Sequence, residues 1–307
     1  MNKMNLGTSS LAVPQIAVGC MRIDALDSYE LEAHLRFCLE NELNFFDHAD
    51  IYGQGICETN FGIALKRIGY KREDVILQSK CGIKPGTMYD LSKEHIVQSV
   101  DGILKRLDTE YLDILLLHRP DALVEPEEVA EAFDVLEKSG KVRHFGVSNH
   151  KPMQIELLKK YVQQDLIINQ LQLSLPFSSM MASGMEVNMQ TDGAVDRDGS
   201  VLDYCRLHDM TIQAWSPYQY GFFEGVFIGN RDKFPELNKA LDEMAEKYAV
   251  TPTTIATAWI LRHPAKIQVI AGSTNQQRIR EIKQASNIHL TREEWYRLYM
   301  KSGHILP

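Results

Sequence analysis

The sequence predicts an α/β protein, a closed (β/α)8 TIM barrel with an N-terminal β-hairpin and an extra C-terminal helix. Three observations carry this. Short apolar runs rich in β-branched residues alternate with longer segments of helical period along most of the chain. Eight such strand-then-helix units follow one another with no long linker, as a parallel barrel requires. After the first run the chain reads VGCMRIDALDS, with one glycine, where an open doubly wound sheet needs a glycine-rich turn opening a helix.

Element by element, MNLGTSSLAV (from Met4) reads as a short hairpin plugging the N-terminal mouth. The strand runs begin at Ile16 (IAVGC), Asn44 (NFFDHAD), Val75 (VILQSK) and Leu112 (LDILLLH). They continue at His144 (HFGVSN), Ile168 (INQLQL), Thr211 (TIQAWSP) and Ile267 (IQVIAG). Helical segments between them include SYELEAHLRFCLEN, ETNFGIALKRI, SKEHIVQSVDGILKRL and EPEEVAEAFDVLEKSG. Ser92 fits an N-cap, Pro126 a first-turn proline, and Gly140 the end of its helix. Two long loops, Ser174 to Gly199 and Tyr218 to Phe234, follow the sixth and seventh strands, the end of a barrel where ligands bind. The expectation is one barrel domain spanning 1–307.

Composition narrows the class. The 307 residues are 44% hydrophobic and carry a formal charge of -8, which argues against coating nucleic acid or anionic membrane. Five scattered cysteines without CxxC spacing make a disulfide framework or a metal-ligand cluster unexpected, and a reducing compartment the natural setting. The start shows no secretory signal pattern, and no run of about 18 apolar residues reads as a membrane span. A cytoplasmic chain, monomeric or weakly oligomeric, is expected, with a small molecule as its partner.

The polar side chains that end the apolar runs are the candidate chemistry. Asp47, Lys80 and His118 end the second, third and fourth runs; Ser148 and Asn149 end the fifth; Gln170 lies in the sixth. Tyr52 follows Asp47 by five positions. Reduction of a carbonyl by hydride needs a proton donor for the oxygen that becomes an alkoxide. Lys80 beside Tyr52 is expected to lower the phenol pKa, Asp47 to hold the buried ammonium, and His118 to orient the carbonyl. Each also has a structural reading: a buried ion pair, a loop anchor, a core histidine.

These residues resemble those of the aldo-keto reductase superfamily. NFFDHADIYG is similar to its Asp-x-Ala-x-x-Tyr-Gly signature through Asp47, Ala49, Tyr52 and Gly53. CETNFGIALK is similar to its Glu-x-x-x-Gly-x-Ala-Leu helix through Glu58, Gly62, Ala64 and Leu65. ILQSK, LDILLLHRPD, GVSNH, NQLQLSL, AWSPY and AGSTNQQRIREI follow in the family's order, to the last helix. The resemblance implies an NADP(H)-dependent carbonyl reductase with Tyr52 as general acid and Asp47, Lys80 and His118 as its catalytic partners. It implies that Ser148, Asn149 and Gln170 hold the nicotinamide carboxamide and that Trp215, followed by Ser216, stacks on the ring. It further implies that Ser273, Thr274 and Arg278 receive the 2′-phosphate, with Gly272 among the cofactor-binding residues and Glu281 on the adenine side. Two departures bear on NADP: Gly272 stands where many members have lysine, and Ile282 where many have asparagine. His48, after the catalytic aspartate, reads as a packing variation, Asp50 as a brace for the Tyr52 loop, and Cys20 and Cys81 as residues that could face the site.

Substrate contacts are expected from Met21, Tyr89, Arg119, Tyr218 and the Met-rich stretch Met180 to Met189. Two other classes compete. An NADP-binding regulatory subunit resembling potassium-channel β-subunits would bind cofactor with little turnover. A barrel hydrolase would need a second convincing carboxylate at a strand end, and none follows Asp47.

Overall fold

Alternation along the strands decides what the fold presents. In the computed structural model, which describes residues 2–306, the eight strands are Ile16–Gly19, Phe45–Asp47, Ile76–Cys81, Leu112–Leu117, Val142–Ser148, Leu166–Gln172, Thr211–Trp215 and Gln268–Ala271. Met1 and Pro307, the ends of the expected domain, lie outside the described residues. Each strand pairs in parallel with its sequence neighbours, and the eighth closes on the first through Val269–Ile16 and Ile270–Ala17. The hairpin pairs Lys3–Asn5 with Ala12–Pro14.

Side chains two apart share a face of a strand. Phe45, Ile76, Ile114 and Ile168 point into the barrel, where they pack with Leu6 and Val13 of the hairpin into a small inner core. Phe46, Leu77, Leu115 and Leu117 point outward into the larger core under the helices. Two residues beyond the inward set stand Asp47, Gln78, Leu116 and Gln170; Lys80 and His118 come two further along the third and fourth strands. The pleat therefore delivers the candidate residues to the C-terminal mouth. It also puts Cys20, Cys81 and His48 on the other parity. Both cysteines belong to the outer core, and His48 packs edge-on against Phe61 with ring centroids 4.5 Å apart. The expectation that the two thiols face the site is corrected by this alternation.

The helices start and stop largely where their signals stand. Ser92 Oγ accepts from the His95 amide at 3.3 Å, Pro126 opens the helix Pro126–Lys138, and Gly140 (φ +73°) follows its end. Three features escaped the sequence reading. A short hairpin, Ile83–Lys84 with Met88–Tyr89, rises after the third strand. The loop after the sixth strand contains the helix Ser179–Met185. An additional helix, Pro235–Tyr248, precedes the barrel helix Pro252–Leu261. The C-terminal helix Arg292–Lys301 is present as expected, held by Trp295 stacked on Trp259 at 4.9 Å. Among the described residues no helix is long and apolar enough to cross a membrane.

Candidate active site

A cleft of about 840 Å³ opens at the C-terminal mouth, a size suited to a cofactor together with a small substrate. Lys80 lies behind its wall, bonded to Asp47 and Tyr52, which line it. Its ammonium has three protons and three partners: the Asp47 carboxylate at 2.9 Å, the His48 carbonyl at 2.7 Å and the Tyr52 phenol oxygen at 3.2 Å. The residue is fully buried. Burial by itself depresses Lys80, but the Asp47 and Tyr52 charges override it, and the amine stays protonated.

Asp47 is held by more than its ion pair. Gln78 and Gln170 donate to it at 2.6 and 3.1 Å, and both also donate to Gln213 Oε1 at 2.9 Å. Gln213 in turn donates to Gln78 and to Gln268, which donates to the Pro14 carbonyl. This glutamine belt crosses the barrel beneath the mouth. The sequence reading singled out only Gln170; the visible signal for the others was one glutamine inside each of three apolar runs. Gln170 has committed its amide nitrogen to the belt, so its oxygen is what it offers the cleft.

Tyr52 lies in the loop after the second strand, followed by Gly53, Gln54 and Gly55, all at positive φ. This left-handed stretch, where two of three residues are glycine, turns the chain sharply into the helix Ile56–Ile68. Burial pushes the phenol up, Lys80 pulls it down and Asp47 pushes with burial; the net direction is upward. The expected lowering is thus corrected, because desolvation outweighs the cation. Since Lys80 donates to the phenol oxygen, the phenol's own proton is directed elsewhere.

His118 faces Tyr52 with ring centroids 6.2 Å apart at 83°. Burial, with the charges of Lys80 and Arg119, depresses it well below the usual histidine range, so the ring is neutral. Its Nδ1 is buried without a partner, whereas Nε2 is not sealed in. A proton on Nδ1 would be an unmet buried donor, which favours the tautomer with the proton on Nε2. A phenol proton and an imidazole proton can thus converge on one oxygen.

Of the other candidates, Met21, Tyr89, Arg119, Ser148, Asn149, Trp215, Ser216, Tyr218, Gly272, Ser273 and Arg278 also line the cleft. Trp215 Nε1 donates to Asn149 Oδ1 at 3.2 Å, and Asn149 donates to Ser148 Oγ at 2.8 Å, so the three form one connected wall. The Tyr218 and Thr257 hydroxyls are hydrogen-bonded at 2.8 Å, and burial pushes the Tyr218 phenol up. Arg278 is exposed at the start of the helix Gln276–Gln284, which Asn275 caps. Thr274 and Glu281 do not line the cleft; Glu281 Oε1 accepts from Gln277 at 3.4 Å. The Met-rich stretch is also corrected. Met180 and Met181 are buried in the outer core, because the helix they sit on turns its apolar face inward.

The residues fit a nicotinamide dinucleotide. A flat indole edge lies beside polar groups suited to a carboxamide, and the exposed Arg278 guanidinium lines the same cleft as half-buried Ser273. A Cβ at Gly272 would meet nothing within 4 Å, so the main chain there is open to approach. The model for the aldo/keto reductase family matches residues 15–301. The chain belongs to that family. This aldo/keto reductase is 38% identical over 289 residues to the uncharacterized oxidoreductase YcsN of Bacillus subtilis, covering 91% of this chain and 90% of the relative. It is 33% identical over 305 residues to a 6-dehydroglucose reductase of Agrobacterium fabrum, covering 95% of each. Its fold is similar to that of a thermostable aldo-keto reductase, Tm1743, crystallised with the inhibitor epalrestat. That likeness has a TM-score of 0.77 at 24% identity and covers 98% of this chain and 100% of the other.

Proposed function

We propose that this aldo/keto reductase reduces aldehydes or ketones to alcohols with NADPH, and that Tyr52 is the general acid. The observation that carries the reading is the Tyr52 hydroxyl, bound from behind by the Lys80 ammonium at 3.2 Å and faced across the cleft by neutral His118.

A bound nicotinamide supplies hydride to the carbonyl carbon. The chain's own residues handle the oxygen. His118 donates from Nε2 and orients the carbonyl before transfer. Tyr52 gives its proton to the oxygen as negative charge develops there. The Lys80 ammonium, already touching the phenol oxygen, stabilises the phenolate that remains, and Asp47 with its glutamine belt keeps that ammonium fixed. Ser148, Asn149 and the Gln170 oxygen are the polar groups offered to a carboxamide, and Trp215 the flat surface for a ring. Arg278 favours a 2′-phosphate through its forked donors.

The test is a fluorescence titration with NADPH and NADH, followed by NADPH oxidation against a carbonyl panel. Tight NADPH binding with turnover on part of the panel supports the reading. Binding without turnover on any carbonyl turns it into that of a regulatory subunit. Arg278→Ala should raise the KM for NADPH by about 10-fold or more and leave that for NADH nearly level. Equal effects on both would remove the phosphate role.

A further inference from the structure

We infer that the substrate carries an oxyanion, a carboxylate or a phosphate ester, which Arg119 and Arg22 receive at the cleft mouth. This rests on the proposed carbonyl reduction and deepens it.

Both guanidinium-bearing residues line the catalytic cleft. Among the described residues neither makes an ion pair, a side-chain hydrogen bond or a stacking contact with an aromatic ring. The carboxylates nearest them in the chain are engaged elsewhere. Asp121, two residues beyond Arg119, accepts from the Leu91 and Leu123 amides at 3.1 and 2.9 Å. Asp27 caps the helix Ser28–Glu40, and Asp24 lies against Gly53, within 3.2 Å of where a Cβ would stand. Asp47 is the one carboxylate among the residues lining the cleft, and Lys80 already neutralises it. The cleft is therefore cationic in a chain whose formal charge is -8.

Arg119 is half-buried and does nothing visible for the fold. A guanidinium drawn out of water without an anion carries a desolvation cost that a bound oxyanion repays through forked, charge-assisted hydrogen bonds. Position separates this cation from the cofactor. Arg119 directly follows His118, and its charge also bears on buried His150 of the fifth strand's loop. Arg278 opens the helix after the eighth strand, which lies opposite the fourth in the closed ring. Arg22 enters from the loop after the first strand. In ring order the second and third strands, bearing Asp47 and Lys80, lie between the first and the fourth. The two arginines thus come from loops on either side of the strands that bear Asp47 and Lys80, Arg22 beside the eighth strand and Arg119 away from it.

The experiment uses matched pairs with the full-length protein and NADPH: an ω-oxo carboxylic acid against its methyl ester, and a phosphorylated aldose against the free sugar. In the wild type, kcat/KM for the anionic member of at least one pair should exceed that of its neutral partner by roughly 10-fold or more, and the ratio should fall as salt is raised. The pair showing the preference names the oxyanion. Arg119→Gln and Arg22→Gln should each shrink that ratio; Arg22 is exposed, so its variant folds even where the other does not. Ratios at or below one in both pairs overturn the inference while leaving carbonyl reduction standing. A preserved ratio with weakened NADPH binding in Arg119→Gln also overturns it, by putting Arg119 on the cofactor. No oxidation of NADPH with any of the four compounds, despite tight NADPH binding, would instead remove the reductase reading itself.

Discussion

In the proposed reaction Tyr52 is an acid held by a cation that cannot take its proton. Lys80 spends its three protons on Asp47, His48 and the phenol oxygen, so it stabilises the phenolate without competing for the phenol's proton. Removing only the hydroxyl, with Tyr52→Phe, should cut kcat by roughly 10²- to 10⁴-fold while the NADPH dissociation constant stays nearly level; unimpaired turnover would defeat the assignment. The directions of the shifts also set the pH profile. Burial holds the phenol up and keeps His118 neutral, so neither group changes charge around neutrality. The kcat/KM for reduction should run flat from about pH 6.5 to about pH 9. A titration near pH 6.5 would mean that His118 ionises and that the neutral donor is the wrong species.

At the scale of elements, the spacing of Glu58 and Gly62 now has a cause. Four residues apart, they share the face of the helix Ile56–Ile68 that meets the end of the helix Lys93–Leu107. Glu58 is fully buried, accepting from Arg106 Nε at 2.8 Å and from Ser79 Oγ at 2.7 Å. Gly62 lies so close that a Cβ would stand 2.7 Å from the Leu107 carbonyl carbon and oxygen. Gly62→Ala should therefore destabilise the protein by about 1–3 kcal/mol, read as a lower denaturant midpoint; an unchanged midpoint would show that the helices can part freely. The sequence displayed this motif without its reason, and the same holds elsewhere. Strand runs were legible because apolar β-branched residues mark them, and observed starts fall within two residues of those expected. The glutamine belt was not, because a glutamine in an apolar run does not reveal which strand faces it across the barrel. The helix Ser179–Met185 is too short for a periodic signal, and methionines say nothing about which side of a loop they turn to the core.

At the scale of the whole molecule, two groups beside Asp47 and Tyr52, buried His48 and half-buried Asp50, tie stability to pH with opposite signs. His48 is fully buried, with neither ring nitrogen partnered, and burial, with Lys80, brings its pKa down to about 3. Its unfolded form takes up protons first, so its contribution is present above about pH 6.5 and is lost as pH falls toward 3. Asp50 is the reverse. Burial, then the Glu58 charge, raises its carboxyl to about 7 against the pull of Arg106, and its Oδ1 has no partner. Folded Asp50 holds its proton after the unfolded form has lost it, so its contribution is full below about pH 4 and disappears as pH rises through 7. In the wild type the two trends oppose each other between about pH 4 and 6.5 and flatten the profile. Asp50→Asn removes one and leaves the other. The variant's stability relative to wild type should rise with pH by about 1.4 kcal/mol per unit between about pH 4 and pH 7, then level off. Denaturant unfolding of both proteins at half-unit steps measures this difference directly, and any pH-independent effect of the amide drops out of the slope. A constant difference across the range would mean that Asp50 ionises in the folded protein as it does in the unfolded chain, and that water reaches the turn behind Tyr52.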